Sequence, residues 1–312
     1  MRVLYAGDPE EKALWEGALR AADPQMDLIM EPGQADPASV EALLYAPSGP
    51  LRDVAPYRNL RFIQSLWAGV ERILGEGRLP AGVPLARMVE PGLERGMVEY
   101  MLGHGLRIHL ETERFREAQA RELWAPQAPP LASGRPVGVL GLGELGAAVA
   151  RALAGVGFPV SGWSRSPKPG IGAEIRALSG PEGLEEILKS SEILMVLLPL
   201  TPETRGLLNA RTLALLPRGA QIVNAARGPI LEEEALLAAL ESGALGGATL
   251  DVFAVEPLPP GHPFWRHPRI LVTPHVASAT RPETAAQVVA AQMRRLARGE
   301  RPLHLVDRGR GY

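Results

Sequence analysis

The apolar positions change rhythm along the chain. Over roughly the first hundred residues, short apolar runs (RVLYAG from Arg2, EALLYAP from Glu41, RFIQSLWAGV from Arg61) are separated by helical or Pro/Gly-rich stretches, the pattern of a small α/β unit. From Glu94 to Gln119 the apolar positions recur at helical spacing, which predicts one long helix, and the WAPQAPPLASGRP that follows reads as a loop. Beyond it the chain alternates. PVGVLGLG, PVSGWS, ILMVLLPL, AQIVNAA, ATLDVF and RILVTPH are apolar strands, most of them separated by helical stretches, and a last helix is expected over Arg281–Glu300. Near-continuously apolar strands that alternate with helices predict a parallel sheet covered on both faces.

With 312 residues the chain exceeds the usual single-domain size, so two cores are expected. The fold class expected is α/β, with two doubly wound parallel-sheet domains of Rossmann or flavodoxin type and an active-site cleft between them. Residues 1–100 with 286–312 are expected to form the substrate-binding (catalytic) domain, and residues 101–285 the dinucleotide-binding Rossmann domain. A formal net charge of −2 lacks the basic excess that broad nucleic-acid binding needs, so no nucleic-acid partner is expected. No cysteine occurs, which removes disulfides, thiolate metal sites and cysteine nucleophiles, and fits a cytoplasmic chain. MRVLYAGDPE lacks the apolar region of a signal peptide, and the longest apolar runs are too short to span a bilayer, so no membrane partner is expected.

VGVLGLGELG places Gly141, Gly143 and Gly146 in G-x-G-x-x-G spacing after a strand and before a helix, with Glu144 and Leu145 inside the motif. Glycine there lets the backbone turn tightly and approach a pyrophosphate, while the helix N-terminus offers N–H groups and a positive dipole end. The next strand ends about twenty residues on, where an acid would grip the ribose 2′-hydroxyl of NAD. Ser164, Arg165 and Ser166 stand there instead, with Lys168 close by. A guanidinium and two hydroxyls suit a 2′-phosphate, which predicts NADP (NADPH) as cofactor; the alternative is a solvated surface turn.

Three later strand ends carry charge: Arg227 in NAARGPI after Ala225 and Ala226, Glu256 in LDVFAVEPLP, and His275 in VTPHVA. Ligands of parallel sheets bind outside the carboxyl ends of the strands, so the three can converge beside the cofactor, with Ala225 and Ala226 among its contacts. A guanidinium holds a substrate carboxylate and polarises the carbonyl beside it, an imidazolium gives the proton that ketone reduction consumes, and a carboxylate orients that imidazole. Each also has an ordinary reading as a turn, loop or packed residue. His262 and His267 flank PFWR without a supporting cluster, so no metal is expected.

GLGELG, LPLTPETRGLLN, NAARGPI, LDVFAVEPLP and VTPHVA, in this order, resemble the D-isomer-specific 2-hydroxyacid dehydrogenase family over nearly the whole chain. Within it GWSRS, PFWRHPRILVTPHVASATRP and the terminal VDRGRGY resemble the bacterial glyoxylate/hydroxypyruvate reductase A group. The resemblance implies NADPH-dependent reduction of a small 2-oxo acid, with Arg227 binding substrate, His275 as acid/base and Glu256 as its partner. It assigns Asp251 to the nicotinamide carboxamide and Leu198, Pro199 and Thr204 to the segment under the cofactor, although Thr204 also fits a helix cap. It assigns the backbone N–H groups of Ala68, Gly69 and Val70 to the substrate carboxylate. Tyr45 and Trp67 either narrow that site or belong to the core, and Glu71 stands where the family often has aspartate. A homodimer through the long helix is implied as well. The alternatives are reduction of a bulkier 2-oxo acid, or a non-catalytic protein that senses dinucleotide.

Overall fold

In the computed structural model, which describes residues 1–309 and 311, the chain divides into two compact units. One comprises Met1–Leu93 with Ala279–Tyr312, the other Glu94–Ser278. The chain passes between them at 93/94 and 278/279, each seven residues before the place expected from the sequence (100 to 93, and 285 to 278). Arg310 and Tyr312 of the terminal VDRGRGY lie outside the described residues.

The first unit runs β1 (Arg2–Ala6), α1 (Lys12–Ala22), β2 (Asp27–Ile29), β3 (Ala42–Tyr45), β4 (Phe62–Ser65), α2 (Glu71–Gly75) and β5 (Leu85–Ala86). Its strands form one parallel sheet in the order β2-β1-β3-β4-β5, with Val3 opposite both Leu28 and Ala42, and Ala42 opposite Phe62. That is the flavodoxin-type order. β2 and β5 escape the hydrophobic pattern because they have three and two residues.

From the first unit α3 (Pro91–His109) carries the chain into the second, which continues with α4 (Thr112–Ala120), β6 (Val137–Leu140), α5 (Glu144–Val156), β7 (Val160–Ser164), β8 (Ile175–Ser179), α6 (Gly180–Ser190), β9 (Ile193–Val196), α7 (Ala210–Leu213), β10 (Ala220–Asn224), α8 (Glu233–Glu241), β11 (Leu245–Leu250) and β12 (Ile270–Val272). Seven parallel strands lie in the order β12-β11-β10-β9-β6-β7-β8. This is the Rossmann order with one strand added, and its direction reverses between β6 and β9, where such sheets bind ligands. β6, β9 and most of β10 are buried, as two-sided cover requires. β8 (IRALS) lies at the edge with only Ile175 buried and Arg176 and Ala177 exposed, and the apolar pattern does not single it out. Finally α9 (Pro282–Ala297) returns the chain to the first unit, where Ala285, Ala286, Val289 and Met293 pack with Trp15, Leu19 and the sheet.

The single helix expected over 94–119 is two. α3 stops at His109, Glu111 takes a left-handed φ of 53°, and α4 begins at Thr112. Arg135, distant in sequence, supplies the stop: its Nη1 donates to the carbonyls of Ile108 (3.4 Å) and His109 (3.3 Å), and its Nη2 to Glu111 (3.2 Å). A guanidinium on the last carbonyls of a helix satisfies acceptors that the helix itself leaves open.

Candidate active site

Each glycine of the loop after β6 has a separate reason. Gly141 has φ +103°, and a Cβ there would stand 2.6 Å from the Leu197 carbonyl oxygen. At Gly146 a Cβ would stand 1.7 Å from the Gly141 carbonyl oxygen, so only glycine lets α5 lie this close to the strand end. Around Gly143 nothing lies within 4 Å of an added Cβ. That open position is the N-cap of α5, whose N-terminus therefore has no side-chain cap. Backbone donors, a positive helix end and clear space together fit a pyrophosphate. Glu144 is exposed, and Leu145 is half-buried against the core.

At the end of β7 the buried Ser164 donates from Oγ to the Ser166 carbonyl at 2.7 Å, which closes the turn and leaves Arg165, Ser166 and Lys168 exposed. The Arg165 charge reaches the loop after β9. There the Glu203 carboxyl is held below its ordinary range, first by a hydrogen bond with Thr201 and then with help from Arg165. Leu198 is buried and Pro199 half-buried. Thr204 staples this loop: its Oγ1 donates to the Pro199 carbonyl (2.7 Å) and accepts from the Thr201 N–H (2.8 Å). It caps no helix, because α7 starts at Ala210 under its own cap, Asn209, with Thr212 reciprocating.

The charged trio comes together in the second unit. His275 Nδ1 and Glu256 Oε2 are 2.7 Å apart, and Glu256 Oε1 accepts from the Phe253 N–H at 2.9 Å. Burial alone would raise the Glu256 carboxyl. The His275 hydrogen bond, the Phe253 N–H and the positive charges of His275 and Arg227 outweigh it and hold the carboxyl low. Hydrogen bonding to Glu256 raises His275 above the ordinary imidazole value, against burial and the nearby Arg227. Arg227 therefore acts electrostatically on both partners. It follows β10 in a turn held by Asn224, whose Oδ1 accepts from the Ala226 N–H at 3.1 Å. Ala225 and Ala226 are buried there. Gly228 seats this turn on the Glu256 loop: a Cβ at 228 would lie 1.9 Å from the Phe253 carbonyl carbon.

Asp251, 1% exposed at the end of β11, holds the loop that carries His275. Its Oδ1 accepts from Thr273 Oγ1 (2.6 Å) and the Val276 N–H (2.9 Å), and its Oδ2 from the Ala277 N–H (2.9 Å). His275 itself has a left-handed φ of 56°, an uncommon conformation for a residue with a Cβ.

In the first unit, Ser65 Oγ accepts from the Trp67 N–H (3.0 Å) and donates to the Trp67 carbonyl (2.8 Å), which folds the chain after β4 into a tight turn. Ala68 and Gly69 follow half-exposed, Val70 is the buried N-cap of α2, and Glu71 opens that helix. Trp67 is partly buried against the core. Tyr45, for which a place in the core was one of two readings, is 1% exposed and packs with Leu43, Ile63 and Leu85. His262 and His267 cap backbone instead of meeting each other: Nδ1 of the first accepts from the Phe264 N–H (3.3 Å), and Nδ1 of the second from the Arg269 N–H (3.1 Å). Among the described residues no group of three or more His, Asp or Glu is placed to hold a metal ion.

Residues 98–277 match the family model for the D-isomer specific 2-hydroxyacid dehydrogenase NAD binding domain. The chain belongs to this family. Glyoxylate/hydroxypyruvate reductase A of Serratia proteamaculans is 41% identical over 96% of each chain, and that of Yersinia enterocolitica 38% identical over the full length of both. A family member from Xanthobacter autotrophicus Py2, solved with NADPH and MES, superposes with a TM-score of 0.94 at 43% identity, covering 100% of this chain and 99% of that one. In this 2-hydroxyacid dehydrogenase the loops of the site are also held by polar residues that the sequence did not single out. Asn224 sits in NAARG and could have been noticed as the polar end of an apolar strand; Thr273, which donates to Asp251, carries no such signal.

Proposed function

We propose that the protein catalyses the NADPH-dependent reduction of a small 2-oxo acid, glyoxylate or hydroxypyruvate, to glycolate or D-glycerate. The observation that carries this reading is the 2.7 Å Glu256–His275 pair with Arg227 in electrostatic range, on the loops after three strands of a sheet that also presents a glycine cradle and a cationic ribose turn. The reductases of Serratia and Yersinia support the substrate class, and the NADPH complex of the Xanthobacter protein supports the cofactor.

When bound, NADPH supplies the hydride. Gly141, Gly143 and Gly146, with Glu144 and Leu145 between them, are assigned to its pyrophosphate, and Ser164, Arg165, Ser166 and Lys168 to its 2′-phosphate. Leu198, Pro199 and Thr204, with Ala225, Ala226 and Asp251, are assigned to the rest of the cofactor. The N–H groups of Ala68, Gly69 and Val70, beside Trp67, receive the substrate carboxylate. Arg227 pairs with that carboxylate and polarises the carbonyl. His275 gives the proton: Glu256 engages Nδ1, so Nε2 donates to the carbonyl oxygen as it becomes the hydroxyl. General acid catalysis of this kind contributes about 10²–10⁴-fold. The setting we assign is a cytoplasmic homodimer.

Steady-state oxidation of NADPH and NADH, each against glyoxylate, hydroxypyruvate, pyruvate and a larger 2-oxo acid, tests the reading. Expected are the highest kcat/KM with NADPH and one of the first two acids, and a reduced preference for NADPH in Arg165→Ala. A preference for the larger acid points to a bulkier substrate, equal efficiency with NADH removes the role of Arg165, and no turnover with any acid favours a dinucleotide sensor.

A further inference from the structure

The loop that bears His275 is tied to α3 as well as to its own sheet. Tyr100, half-buried on that helix, places its hydroxyl 2.7 Å from Thr273 Oγ1, and Thr273 Oγ1 lies 2.6 Å from Asp251 Oδ1. The direction of this chain follows from its end. An ionised carboxylate only accepts, so Thr273 donates to Asp251 and its oxygen takes the proton of Tyr100. Asp251 also accepts from the Val276 and Ala277 N–H groups, which follow His275 directly. Lower on the same helix, Gly96 lets the loop's end approach closely: a Cβ there would stand 2.9 Å from Ser278 Oγ. Four of the residues 273–278 are thus touched by either Asp251 or α3.

We propose that Tyr100 and Thr273 are positioning residues for the reaction, which with Asp251 clamp the 273–278 loop and thereby set where the His275 imidazole stands. The inference rests on the functional reading above. Its physical basis is the left-handed backbone of His275: a strained residue stays in place only while its neighbours over-determine it. Thr273 is the centre of the clamp, since it both accepts from the helix and donates to the buried acid. Removing its hydroxyl leaves the Tyr100 proton and one Asp251 lone pair without a partner, and the loop gains freedom at the one residue whose position the proton transfer depends on. Displacing a catalytic group by about 1 Å costs on the order of 10²-fold in rate.

The experiment compares Thr273→Val, Thr273→Ser and Tyr100→Phe with the wild type in the full chain, reading kcat and KM for NADPH with glyoxylate and the hydrogen exchange of the Val276 and Ala277 amides. Expected for Thr273→Val are a fall in kcat of roughly 10–100-fold, a KM for NADPH that is held, and faster exchange at both amides. Thr273→Ser recovers all three, and Tyr100→Phe shows the same changes on a smaller scale. Should Thr273→Val fail to fold, Tyr100→Phe alone decides. Wild-type kcat in Thr273→Val, or a loss of kcat without faster exchange, overturns the proposal. A wild type without turnover overturns the functional reading instead, and exchange at the two amides still decides whether the clamp exists.

Discussion

The hydrogen bond between Glu256 and His275 sets the working pH range of the proposed acid. Reduction needs the protonated imidazole, and the Glu256 bond raises the His275 pKa above its ordinary value. Activity is therefore present at low pH and lost as pH rises through the raised value. Glu256→Gln keeps an acceptor but removes the charge, so the alkaline limb of kcat/KM should move to lower pH, with a smaller plateau. An unmoved limb in the pH profile would separate His275 from that limb. At this scale the sequence disclosed the groups with charge, since Arg227, Glu256 and His275 stand out against apolar strand ends. It left Asp251 with a role drawn from resemblance alone, because an aspartate at a strand end looks the same whether it faces a ligand or its own backbone. For Tyr45 the sequence left site and core open, since a tyrosine has a polar tip on an apolar ring, and its burial beside Leu43 and Ile63 is a tertiary fact.

Two helices adjoining the chain crossings share one cap. Glu90, 3% exposed, accepts from the N–H groups of Gly92 (2.6 Å) and Leu93 (2.7 Å) in the first turn of α3, and from the Arg281 N–H (3.2 Å) and Thr284 Oγ1 (2.5 Å) at the start of α9. All four partners donate, which a carboxylate alone satisfies fully. Glu90→Gln turns an amide group toward donors and should cost about 2 kcal/mol or more. A thermal melt should show the midpoint lowered by several degrees. A melt unchanged from wild type would show that the shared cap carries no weight. Elements with long apolar runs were legible from period alone. The stop after His109 was not, since it depends on Arg135, and neither was the short edge strand β8, where Arg176 interrupts the apolar positions.

For the whole molecule, the segment after α4 leaves the large apolar side chains of Leu123, Trp124 (94%) and Leu131 (81%) exposed. We assign this surface to a second copy of the chain, in keeping with the homodimer proposed above. Light scattering after size exclusion should give the mass of a dimer for the wild type and of a monomer for Trp124→Ala with Leu131→Ser; a dimer that survives both changes places the interface elsewhere. Among the described residues no helix is long and apolar enough to cross a membrane. What the residues alone determined is the alternating α/β architecture and the chemical kinds of group at the strand ends, because period and side-chain type are local properties. The tertiary structure decided which of those groups meet. A glycine-sized gap at Gly228 sets the approach of its turn to the Phe253 backbone, and the bonds of Asp251, Thr273 and Tyr100 hold the loop on which His275 takes a left-handed backbone. Those distances arise between positions far apart in the chain, and no local pattern contains them.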